Sequence, residues 1–68
     1  MEEKEIIKEV GAILLRLRND KGMSVEEVAS SSGLSKSTVN RIENGFLDAR
    51  LSTISRIAKV FGVKITFR

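Results

Sequence analysis

The 68-residue sequence contains no cysteine, no histidine, no tyrosine and no proline. Without Cys and His it forms no disulfide, no zinc finger and almost none of the usual transition-metal sites, so no cofactor is expected. Without Cys, His or Tyr, the usual nucleophile–base pairs lack their parts, and no two carboxylates share a cleft-like setting, which argues against an enzyme. No segment approaches the ~20 apolar residues of a membrane span, and the charged start, MEEKE, is unlike a signal peptide, so a cytoplasmic protein with no membrane partner is expected. A chain this short is one domain, burying about 60% of its unfolded surface. With disulfides and metals excluded, oligomerisation is the staple left.

Charge is present but uneven. Residues 1–33 carry five basic and seven acidic side chains, a net of −2, while residues 34–68 carry seven basic and two acidic, a net of +5. The whole positive excess therefore falls in the second half. That distribution suits either a face for a polyanion or an unevenly solvated surface.

With no Pro and only five Gly, the chain reads as helices joined by short turns. Ile6, Val10, Ile13, Leu14 and Leu17 mark the apolar stripe of a first helix from about Glu2 to Asp20, ended by Lys21-Gly22. Ser24 and Glu27 form a capping box that opens a second helix, with Val28 and Ala29 inward and a break at Ser30 to Gly33. Ser35 caps a third helix through about Glu43, stopped by Asn44-Gly45. A further helix buries Leu51, Ile54, Ile57, Ala58 and Phe61, with Asp48 or Ser52 as its cap. The tail alternates, Val63, Ile65 and Phe67 against Lys64, Thr66 and Arg68, which is the two-residue period of a half-buried strand. No second strand candidate exists to pair with it, so the economical partner is the same strand of a second molecule across a two-fold axis. The expected architecture is an all-α bundle of four to five helices over residues 1–68, with a C-terminal strand over about 63–68 paired across a dimer.

The third helix carries the informative face. Val39 and Ile42, with Leu34 just before, form its inward side. Lys36, Ser37, Asn40 and Arg41 share the opposite side, and none of them is acidic. Arg pairs in bidentate fashion with guanine, Asn with adenine, and Ser with either, so this face is suited to reading base edges. Ser and Asn are weaker helix formers than the Ala, Glu or Lys of a plain solvated face. Ala29, Gly33 and Val39 add the spacing of a helix-turn-helix over about residues 24–44, whose second helix enters the major groove. Glu43 stands out, because the last turn of a helix disfavours negative charge.

The run from Val10 to Val63 resembles the phage Cro and repressor-like (XRE) helix-turn-helix family. The resemblance is carried by LRxxKG at 17–22, MSxEEVA at 23–29, GLSxSTVxRIENG at 33–45 and IAKxFGV at 57–63. It implies a sequence-specific, double-stranded-DNA-binding transcriptional regulator, homodimeric, acting as a repressor on a near-palindromic operator. It also implies an ion pair between Arg18 and Glu43, base reading by Lys36, Ser37, Asn40 and Arg41, and phosphate contacts by Ser35, Thr38 and Asn44. Arg50 joins the phosphate group by charge alone.

The chain also departs from the family pattern. Val25 stands where the family usually has a phosphate-contacting Gln, and Phe46-Leu47 where many relatives have basic residues. Ile13 and Leu15 are more apolar than expected for a lone domain. Two variants stay open, a free-standing regulator and an antitoxin that represses its own operon with a cognate toxin as partner. A different class is a protein-interaction module on the same fold that has lost DNA binding.

Overall fold

The computed structural model describes residues 3–45 and 50–64. Four helices are found among them: α1 (Glu3–Asp20), α2 (Val25–Ser32), α3 (Lys36–Glu43) and α4 (Leu51–Val60). α2 packs against both α3 and α4, and α1 lies across α3.

Local chemistry sets the boundaries. At the end of α1, the Met23 N–H donates to the Arg18 carbonyl at 3.0 Å, closing the helix in a Schellman turn. Ser24 then caps α2 in a complete capping box. Its hydroxyl accepts from the Glu27 N–H at 3.0 Å, while the Glu27 carboxylate accepts from the Ser24 N–H at 3.0 Å. Gly33 ends α2 at φ 73°, a left-handed conformation that costs other residues about 1–2 kcal/mol, and the Leu34 N–H returns to the Ala29 carbonyl. This turn redirects the chain into α3, where Ser35 accepts from the Thr38 N–H at 3.0 Å.

The core is one cluster in which Leu14, Val28, Val39, Ile42, Ile54, Ile57 and Phe61 are buried. Val28 and Val39, from the two helices joined at Gly33, are both fully enclosed. Buried Val39 and Ile42 commit one side of α3 to the interior, which leaves the other side outward.

Four expectations need correction. α2 does not break at Ser30 but continues to Ser32, whose buried hydroxyl donates back to the Val28 and Ala29 carbonyls at 2.7 and 3.2 Å. The stripe on α1 is narrower than its apolar pattern, with Ile6 40% and Ile13 55% exposed. At about 100° per residue, both fall at the edge of the arc centred on Leu14. Leu51 is likewise 55% exposed, at the rim of the arc set by Ile54, Ile57, Ala58 and Phe61. The cap of α4 is Arg50, without a side-chain hydrogen bond, and Ser52 lies inside the helix; Asp48 is outside the described residues.

No strand occurs among the described residues. Val63 does not begin one, because its N–H donates to the Ala58 carbonyl at 3.1 Å and so closes α4 instead. Ile65 and Phe67 lie outside the described residues.

Gly11 shows why α1 can cross α3 so closely. It is buried mid-helix, and a Cβ there would overlap the Ile42 carbonyl oxygen and approach the Glu43 carbonyl oxygen at 3.2 Å. A helix-interior glycine costs about 1 kcal/mol of propensity, so its presence here reflects the approach of two backbones. Gly11→Ala is expected to lose about 1–3 kcal/mol net, the range for overpacking, despite its better propensity. Ala12→Ser, one residue on and exposed, should change stability by no more than about 0.5 kcal/mol. Urea midpoints of the two variants check both values.

Candidate nucleic-acid interface

α3 is amphipathic across its whole length. Val39 and Ile42 are 0% and 2% exposed, whereas Lys36, Ser37, Asn40 and Arg41 are all exposed. The four outward residues form one continuous surface of donors and mixed donor–acceptors. The helix has a single carboxylate, Glu43, which is turned inward and is 7% exposed. The outward face is thereby free of acidic side chains.

Glu43 is held by Arg18 from α1. The Arg18 Nε donates to Glu43 Oε2 at 2.7 Å and its Nη2 to Oε1 at 3.2 Å, a bidentate fork. The remaining nitrogen, Nη1, donates to the Met23 carbonyl at 2.9 Å. One guanidinium therefore joins α1, the end of α3 and the turn leading into α2. The hydrogen bonds that Arg18 donates to Glu43 raise its pKa above the usual value, against desolvation, and the Glu43 and Glu26 charges act in the same direction.

The residues expected near phosphates lie at the two ends of α3. Ser35 and Thr38 share a hydroxyl–hydroxyl hydrogen bond of 2.8 Å at the N-terminal end, where backbone N–H groups favour anions. At the C-terminal end, the Asn44 Nδ2 donates to the Asn40 carbonyl at 2.7 Å, so this side chain caps the helix. Arg50 is exposed at the start of α4. Val25, the residue standing in for Gln, is half-buried and packs against the core, so its apolar character serves the interior.

Two contributors escaped the sequence reading. Gly11 was visible only as an isolated glycine inside a helical pattern, a signal that often marks close packing. The Met23 carbonyl as third partner of Arg18 left no sequence signal, since every residue has a carbonyl.

A helix-turn-helix family model matches residues 14–67. The uncharacterized HTH-type transcriptional regulator y4dJ of Sinorhizobium fredii is 36% identical over 56 residues, covering 82% of this chain and 73% of that protein. The HTH-type transcriptional regulator RamB of Mycobacterium tuberculosis is 36% identical over 58 residues, 85% of this chain but 12% of RamB. A longer Methanosarcina acetivorans protein matches at 31% over 55 residues, 17% of its length. The chain thus corresponds to a small part of the latter two relatives and to most of the first.

Removing one partner of the Arg18–Glu43 pair strands the other charge in a mostly buried site. Arg18→Met and Glu43→Leu should each cost about 3–5 kcal/mol, and the double substitution distinctly less than their sum. Chemical denaturation of the four proteins completes the cycle.

Proposed function

The chain belongs to the XRE-type helix-turn-helix family, and from that premise we propose that it is a sequence-specific DNA-binding transcriptional regulator acting as a homodimeric repressor. The supporting observation is the outward face of α3, with Lys36, Ser37, Asn40 and Arg41 exposed over a buried Val39–Ile42 underside. In this reading α3 lies in the major groove. Arg41 and Lys36 donate to guanine edges, Asn40 pairs with adenine, and Ser37 serves either. Ser35, Thr38, Asn44 and Arg50 contact phosphates and fix the register. Two copies related by a two-fold axis would set half-sites one helical turn apart, roughly 34–36 Å. The tail in which Ile65 and Phe67 alternate with Thr66 and Arg68 supplies the dimer seam, and Val63, 38% exposed after the turn that closes α4, borders it. Such a regulator works beside cytoplasmic DNA, and no described helix is long and apolar enough to cross a membrane. The antitoxin role is a variant of the same proposal, and a toxin that copurifies with the chain would select it.

A second reading, a protein-interaction module without DNA, is favoured by one observation, the exposed Ile6 and Ile13 one above the other on α1. Binding to random-sequence duplex discriminates. Association that weakens steeply with salt supports the regulator, and no association at low salt supports the module.

Selection of duplexes from a random pool defines the operator. Arg41→Ala should then lower operator affinity by about 1–3 kcal/mol and flatten base preference at one position; an unchanged selection removes Arg41 from the reading face. Deletion of residues 64–68 should turn the dimer into a monomer at micromolar concentration, as judged by light scattering. A dimer that persists places the seam elsewhere.

A further inference from the structure

A second cationic surface lies on α4. Its inward arc is Ile54, Ile57, Ala58 and Phe61, and its outward arc is Ser52, Ser55, Arg56 and Lys59, all four exposed. From position 49 to position 68 the chain contains no Asp or Glu. Neither Arg56 nor Lys59 is hydrogen-bonded or ion-paired among the described residues. Two shallow grooves, of about 340 and 410 Å³, meet at these two side chains. Ser55 and Lys64 line the first, Ser31 and Ser32 the second.

Arg56 is also close to the reading helix. Its Nη2 would lie 2.9 Å from a Cβ built on Gly33, two residues before Ser35, the cap of α3. Two residues of chain span at most about 7 Å. Arg56 is not required to neutralise the end of α2, because the Ala29 and Ser30 carbonyls there already accept backbone N–H groups from the turn. The side chain is exposed and its guanidinium lies over Gly33, near the end of α3 that the proposed function inserts into DNA.

We propose that Arg56 and Lys59 form a sequence-independent clamp on the DNA backbone flanking the bases under α3. The occupant is a run of phosphates, which cations and hydroxyls contact without reading sequence. The exposed apolar side chains nearest this arc, Leu51 and Val63, lie at its two ends. The outward Ser52, Ser55, Arg56 and Lys59 between them are hydroxyl or cationic, which suits a run of phosphates better than the aromatic and apolar anchors that dominate protein interfaces. The clamp lengthens the contact of a domain whose second helix has Val25 in place of a polar phosphate ligand. It rests on the DNA-binding reading above and adds residues that reading does not use.

The test compares Arg56→Gln/Lys59→Gln with Arg16→Gln/Lys21→Gln, which removes the same charge from exposed positions on α1 and just after it. Circular dichroism first verifies that each is folded; none of the four side chains is buried. On the selected operator, bound by two copies, the α4 variant should reduce the slope of log affinity against log salt by about four units, one per phosphate contact and two contacts per subunit. It should also lose hydroxyl-radical protection of the flanking backbone while selecting the same bases. The α1 variant should change the slope by less than about one unit. An unchanged slope in the α4 variant, or an equal fall in the α1 variant, overturns the clamp and leaves the regulator intact. Failure of the unsubstituted chain to bind any duplex overturns both.

Discussion

The ion pair between Arg18 and Glu43 is the constraint on which the geometry of the outward helix depends. A carboxylate in the last turn of α3 opposes the helix dipole and would be poorly placed on a surface helix. Here it is the receiving end of a two-pronged bond from α1, and the third guanidinium nitrogen reaches the carbonyl before the α2 cap. Fixing one planar group fixes the relative orientation of three elements. Buried pairs of this kind contribute modestly to net stability, because desolvation offsets most of the attraction. Their effect is on geometry, and here it fixes how the outward face of α3 is presented. The same pair removes from α3 its only negative charge, so structural and electrostatic requirements are met by one contact.

Glycine complements this pair. At Gly11 two backbones meet where any side chain would intervene, so α1 rests directly on the last carbonyls of α3. Nearby, a Cβ on Gly45 would come within 3.0 Å of the Lys8 Cα, so the chain leaving α3 also lies against α1. A domain of 68 residues has little apolar area with which to hold its helices. Close backbone approach and a directional ion pair compensate for that shortage where α3 ends.

Charge is organised by helix and not by net value. The total of +3 is unremarkable for a protein of this size. Yet α3 and α4 each turn an acid-free arc of hydroxyl and basic side chains outward, while most acidic residues reside in α1 and α2. Surfaces of this kind attract polyanions at range and hold them by short-lived, salt-sensitive contacts.

Much of this was written in local chemistry. The capping box at Ser24 and Glu27, the cap at Ser35, the glycine turn at Gly33 and the inward Val39 and Ile42 were all legible, because each depends on residues within one or two turns of each other. Helix periodicity alone separated the outward Lys36, Ser37, Asn40 and Arg41 from the core side. Distances between elements were not legible in the same way. The width of the buried arc on α1, which leaves Ile13 at the surface, depends on the angle at which α1 crosses α3. The buried role of Gly11, the half-buried Val25, the third bond of Arg18 to Met23 and the placement of Arg56 beside Gly33 depend on the same assembly. The single sequence thus determined which face each helix offers, since that follows from the helical repeat. Only the tertiary structure decided how far each face is covered and which residues from different helices meet, because packing angles arise from all the contacts at once.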